Sequence, residues 1–167
     1  TEKGWGSTGE ESADELLDIE MGKTWSLMEE LSEDLSVFDT LLYQNDFHNL
    51  KAAIKQVYMN SNVPEIYINR GTVPSDFILA AVREHDFAKL PEYLRKCAEE
   101  AYEIQLHTGN SQLCDVIIDK ACLEAVNIKA KHTGLEIFTE YAEHKAAAAC
   151  IKIAVRGIKT RKGREFL

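Results

Sequence analysis

Gly22, Lys23 and Thr24 match the last three residues of a phosphate-binding loop. That loop needs a glycine five residues before its second one so that backbone amides converge on phosphate, and Leu17 stands there. The triplet reads instead as a kink in a helix. The sequence has 5 histidines, but none follows a glutamate by three residues and no two are spaced as His-x-x-x-His, so the bundle metal motifs are missing. Glu103 with His107 and Glu140 with His144 are four apart, a spacing that makes surface pairs worth about 0.3 kcal/mol. With no third or fourth ligand in register, no metal site is expected. The 4 cysteines, Cys97, Cys114, Cys122 and Cys150, lack the Cys-x-x-Cys spacing of zinc or redox sites. Each lies among Ala, Leu and Ile in a helical pattern, where a reduced cysteine acts as a small hydrophobe. No catalytic constellation and no cofactor is read from these residues.

A different polar group stands out on the stretch Phe38 to Val57, around which the chain is organised. At about 100° per residue its apolar residues fall on two sides, Phe38, Leu41, Leu42, Ala52 and Ala53 on one and Tyr43, Phe47, Leu50, Ile54 and Val57 on the other. Lys51 and Lys55 mark the one wet strip. A helix so apolar must be covered by neighbours on at least two sides, as the central member of a bundle. Asn45, His48 and Asn49 lie within the first apolar face, and each requires a hydrogen-bond partner, since an unpaired buried polar group costs about 1 to 3 kcal/mol. Hydrogen bonds to neighbouring helices are expected there.

The other elements follow from the same periodicity. Residues 1–11 read as a glycine-rich loop, and Ser12 with Glu15 gives a capping box for a long acidic helix broken near Gly22. Residues 32–36 join it to the central helix. The stretch 61–74 is a connection containing Pro64 and Pro74, with strand-like alternation only at Ile66 to Ile68. A short helix from Ser75 to His85 points Phe77, Ile78, Ala81 and Val82 to the core. After a tight corner at 86–90, Pro91 takes the first position of a helix that ends before Gly109. Its apolar set is Tyr93, Leu94, Cys97, Ala98, Ala101, Ile104 and Leu106. Ser111 caps the next helix, whose apolar residues are Leu113, Val116, Ile117, Ala121, Ala125 and Ile128 and which Gly134 stops. A last helix runs from Leu135 to Arg156, with Gly157 as its stop.

Composition sets the limits of function. The chain has 167 residues, 45% of them hydrophobic, with 3 prolines and a net charge of −9, which fits an all-α globular protein. It contains no uninterrupted apolar run of about 18 residues, and its polar amino terminus does not resemble a signal peptide, so the chain is compatible with the cytosol. Residues 1–40 carry twelve acids against Lys3 and Lys23, whereas residues 151–167 carry six bases against Glu165. The acidic excess argues against a general nucleic-acid binder, which needs basic surface to displace counterions. Within the basic end, Arg156, Lys159, Arg161, Lys162 and Arg164 read as a helix terminus and solvated linker, or as a surface for phosphate, membrane or protein.

An internal shift of 97 residues sets Asp46 on Glu143, Ala52 on Ala149, and Ile54 and Lys55 on Ile151 and Lys152. The second copy has Ala146 and Ala148 in place of Asn49 and Lys51. DFHNLKAAIK (46–55), TVPSDFILAAVREHDFAKLPEYLRKCAEEA (72–101), the Gly109 break and DVIIDKACLEAV (115–126) together resemble the C-type subunit of V-type ATP synthases, whose eukaryotic relative is the d-type subunit of the V-ATPase. The resemblance covers about residues 35–167. Pro74 and Ser75 depart from the family's aspartate cap, and the alanines at 146–149 from its polar positions.

The resemblance implies an all-helical protein of similar modules around a pseudo-threefold axis, forming a funnel, of which this chain is a fragment. The implied divisions are a flexible loop at 1–11, the end of a first module at 12–71, a second module at 72–157, and the start of a third at 158–167. It also implies a non-catalytic central-stalk rotor component that couples the membrane rotor ring of proteolipid subunits to the axle subunits during proton or sodium transport. Such a component is cytoplasmic and peripheral to the membrane. A soluble helical adaptor is the alternative that the bundle and acidic surface leave open, distinguished by binding a partner without the axle. An enzyme would need a pocket of converging titratable groups.

Overall fold

The computed structural model describes residues 13–61 and 66–160. The expected loop at 1–11, the Ser12 cap, and Arg161, Lys162 and Arg164 lie outside the described residues. Among those described, six α-helices and no strand are present: α1 (Ala13–Leu31), α2 (Asp39–Met59), α3 (Ser75–Glu84), α4 (Glu92–Thr108), α5 (Ser111–Thr133) and α6 (Glu136–Lys159). The fold is an all-α helical bundle. Two compact units divide the chain, Thr1–Val37 and Phe38–Leu167.

In the first unit α1 runs unbroken through Gly22, contrary to the expected break. A single helical glycine costs about 1 kcal/mol relative to alanine but keeps its backbone bonds, so it weakens a helix without ending it. Leu17, Met21, Leu27 and Leu31 are exposed along α1. Downstream, a 3-10 turn at Leu35–Phe38 follows a local clasp in which Ser36 N donates to Asp34 Oδ1 at 2.8 Å.

The second unit is built on α2, which packs against α3, α4 and α5. Phe47, Leu50, Ala53 and Ile54 of α2 are buried, as its two-sided pattern predicts. The strip of Lys51 and Lys55 is not simply wet. Lys51 pairs with Asp119 at 2.5 Å and Lys55 with Asp115 at 2.7 Å, while Asp39 at the start of α2 pairs with Lys129 at 2.8 Å. Partners that fall in α5 as they rise in α2 fix the two helices antiparallel. The pairs are partly exposed, worth up to about 1 kcal/mol each, so they set register more than stability.

Helix ends depart from the sequence reading by single residues with identifiable causes. Pro91 sits one place before α4, with ψ near 150°, and its carbonyl accepts from Leu94 N and Arg95 N. Asn110, not Ser111, caps α5, because its Oδ1 accepts from Leu113 N at 3.0 Å. Gly109 and Gly134 close α4 and α5 at φ of 62° and 68°, as expected. Gly157 does not stop α6, which continues to Lys159 and is closed by Thr160 N donating to Arg156 O at 2.9 Å. Phe77 is exposed and so is Leu106, beside the buried Gln105, although periodicity places both on core faces.

The largest departure is the rotation of α5. Its buried residues are Cys114, Ile118, Cys122, Ala125, Val126 and Ala130, so Ala125 of the expected face is buried while Leu113, Val116 and Ile128 of that face are exposed. On α4, Cys97, Ala98 and Ala101 are buried. The Cys114 and Cys122 thiols feel the Lys51 charge of α2, so the buried stripe of α5 turns toward the central helix. Cys97, Cys114 and Cys122 are buried free thiols, whereas Cys150 is exposed, unlike the core position expected for it.

Leu50→Ala is expected to lower the unfolding free energy by about 2 to 5 kcal/mol through cavity formation, read as the urea midpoint. Ile128→Ala, on the outer side of α5, is expected to change it by less than about 0.5 kcal/mol. Equal losses for the two would contradict the observed orientation of α5.

Candidate functional site

The connection after α2 runs back along that helix, and a seam of polar side chains holds it there. Tyr67 Oη donates to Gln56 Oε1 at 2.5 Å. Asn49 meets Ile68 twice, Nδ2 donating to its carbonyl at 2.9 Å and Oδ1 accepting from its N–H at 2.8 Å. His48 Nε2 lies 2.9 Å from Ile66 O, and Asn45 Nδ2 donates to Arg70 O at 2.5 Å. The three predicted residues are therefore brought together by one task. Their partners are backbone groups of the connection and not neighbouring helices, because irregular backbone beside a helix presents unpaired amides and carbonyls that must be satisfied. Only Asn49 is fully buried; Asn45 is half-buried and His48 exposed.

Asp46 is a residue that periodicity does not single out. It is 0% exposed, on the same side of α2 as Leu42, Asn49 and Ala53. Its Oδ1 accepts from Thr72 N at 2.9 Å and Val73 N at 3.1 Å. Its Oδ2 accepts from Thr72 Oγ1 at 2.6 Å and Tyr93 Oη at 2.9 Å. Burial pushes its carboxyl above the ordinary aspartate range, opposed by the hydrogen bonds from Thr72, Val73 and Tyr93. Tyr93 also stacks on Tyr43 with ring centroids 4.1 Å apart, and burial raises both phenols. A carboxylate at the centre of an apolar helix face, three residues before an asparagine, is the signal that could have marked it.

Gly71 completes this junction. A Cβ built there would lie 2.3 Å from Asp46 Oδ1, so no larger residue fits while the carboxyl keeps its donors. The seam thus combines two consecutive backbone amides that hold Asp46 Oδ1 with a backbone approach that only glycine allows.

Beside the seam, a groove of about 570 Å³ lies between α4 and α5, bordered by Tyr93, Lys96, Val116, Ile128 and His132. Cys97 opens on it, but burial pushes that thiol up to about 12, and those of Cys114 and Cys122 to about 11. Such thiols are neutral at physiological pH and are not nucleophiles. Among the described residues no group of three or more His, Cys, Asp or Glu side chains is placed to hold a metal ion. The arrangement is suited to fixing helices, and Arg156 and Lys159 are exposed in the last turn of α6.

Asn49→Leu is expected to cost about 1 to 3 kcal/mol for each group of Ile68 it strands, and to speed amide exchange at Ile68. An unchanged melting midpoint and cooperativity would show the pairing to be dispensable. Gly71→Ala is expected to be among the more damaging single-methyl additions in the chain, by about 1 to 3 kcal/mol in chemical denaturation.

No curated protein and no solved structure matches the chain. A family model described as ATP synthase (C/AC39) subunit matches residues 4–167. A match over nearly the whole length joins the all-α bundle and the motifs at 46–55, 72–101 and 115–126, and on it the chain belongs to the ATP synthase (C/AC39) subunit family of V-type ATPases.

Proposed function

We propose that the chain is a non-catalytic central-stalk component of a V-type ATPase, passing rotation between the membrane rotor ring and the axle subunits during ATP-linked proton or sodium transport. The observation that carries this reading is the family match over residues 4–167. A coupling element must transmit torque without yielding, and two features support that role. The α2 helix is tied to α5 by ion pairs at 2.5 to 2.8 Å, and its connection is sewn down by Asn45, Asp46 and Asn49. Under this reading 12–71 closes one module, 72–157 forms the next and 158–167 begins a third. No step of the coupling calls for a cofactor.

Attachment to the membrane would run through the ring. No described helix is long and apolar enough to cross a bilayer. The basic set Arg156, Lys159, Arg161, Lys162 and Arg164 is the proposed contact surface, since clustered cations favour an acidic partner and steer its approach.

Co-expression with the ring and axle subunits from the same source, followed by affinity capture, is expected to retain one or both with this chain. Reversing Arg156 and Lys159 to glutamate is expected to weaken capture and flatten its salt dependence. Loss of every partner, with a full-length member of the family binding under the same conditions, would place the coupling contacts outside these residues. If neither chain binds, the coupling reading fails in favour of a soluble adaptor.

A further inference from the structure

We propose that Asp46, Thr72 and Tyr93 form a proton-binding latch, in which an acid proton on Asp46 completes a closed ring of three hydrogen bonds joining α2, the connection and α4. Three oxygens define it. Asp46 Oδ2 lies 2.6 Å from Thr72 Oγ1 and 2.9 Å from Tyr93 Oη, and those two hydroxyls lie 2.7 Å from each other. Each edge of this triangle is of hydrogen-bond length, and each requires one hydrogen. Thr72 and Tyr93 supply only one apiece. With Asp46 ionised, one edge therefore holds two oxygens in contact with no hydrogen between them. With Asp46 protonated, three hydrogens serve three edges, and the ring closes in either sense.

The other carboxyl oxygen pulls the opposite way without being lost to the neutral form. Oδ1 accepts from the backbone N–H groups of Thr72 and Val73, bonds that favour the charged carboxylate but that the carbonyl oxygen of a carboxylic acid also accepts. Burial favours the neutral form, since Asp46 is 0% exposed and a buried charge is costly without an opposite one.

The surrounding titratable groups can be placed element by element. Tyr43 on α2 and Tyr93 on α4 feel the Asp46 charge as unfavourable, as does the buried Cys122 of α5. Lys129 of α5 sits 6.0 Å over the Tyr43 ring and is committed to Asp39 at 2.8 Å. The buried side chains of α3 are Ile78, Ala81 and Val82, none of them titratable, and its Arg83 acts on Tyr67. Among the described residues of the connection, Arg70 is the charged one, its backbone carbonyl accepting from Asn45 Nδ2. Burial raises the Asp46 carboxyl from its ordinary value against the opposing hydrogen bonds, in the same direction as the oxygen geometry.

The linkage has a definite sign. A carboxyl whose folded value lies above its unfolded one binds more proton when folded, so its contribution to stability is full below the unfolded value and is lost as pH rises through the folded value. The latch is therefore tighter in acid, the reverse of an aspartate held by a cation.

The test uses the full chain with carboxyl-13C aspartate, titrated by NMR, with the Asp46 signal identified by its loss in Asp46→Asn. A midpoint above the ordinary aspartate value is expected, and one at or below it would overturn the latch. If Asp46→Asn does not fold, sequential assignment in the wild-type chain gives the same reading. Urea midpoints across the same pH range supply a second readout, with Thr72→Ser, which keeps the hydroxyl, expected to reproduce the wild-type loss of stability as pH rises. A Thr72→Ser profile that rises with pH through the Asp46 midpoint would also overturn it.

Discussion

Burying a carboxyl on an apolar helix face costs several kcal/mol unless its lone pairs find donors. Asp46 meets that constraint with donors from two other segments, the backbone and hydroxyl of Thr72 with the amide of Val73, and the phenol of Tyr93. Each donor is available only if the connection folds back along α2 and α4 begins where it does. Gly71 must then pass close to the carboxyl, and Tyr93 must stack on Tyr43. The chain path from the end of α2 to the start of α4 is thus determined around one side chain.

Asp46 is also what separates α2 from its shifted copy. Under the 97-residue shift, Glu143 of α6 takes its place, and it is exposed, while Ala146 and Ala148 replace Asn49 and Lys51. At those two positions α6 has no side chain able to hold a returning segment by hydrogen bonds or to pair with a neighbouring aspartate. The apolar frame at Ala52, Ile54 and their counterparts is repeated, but the polar specification is not. Buried hydrogen bonding on α2 selects one arrangement among several that apolar packing alone would accept.

Much of the fold was legible in periodicity. The limits of α2, the Gly109 and Gly134 closures and the all-α class follow from patterns that are local in sequence. The rotation of α5 was not, because Leu113, Val116 and Ile128 carry the stronger hydrophobic signal while packing covers Cys114, Ile118 and Cys122. Which side of a helix its neighbours cover is a property of the packed set and is invisible in that helix alone. Of the site, Asn45, His48 and Asn49 are recognisable as polar groups needing partners. Their partners, and Asp46 itself, are hidden because an acid in a helix reads as solvated until a returning loop is known to cover it. Lys51 and Lys55 look solvated for the same reason, since Asp115 and Asp119 lie 60 and 68 residues away.

Those separations bear on the order in which a growing chain can become ordered. The bonds between α2 and its connection span 11 to 27 residues, whereas the ion pairs to α5 span 60 to 90. Short closures form early and long ones late, since loop entropy grows with span. During synthesis, which proceeds from the amino end, the helix and its returning strap can assemble as soon as both have emerged. The side of α2 destined for α5 stays uncovered until residues beyond 115 follow. That interval is a window in which a nascent chain presents apolar surface, and the paired lysines at its edge keep that surface hydrated and ill suited to indiscriminate sticking.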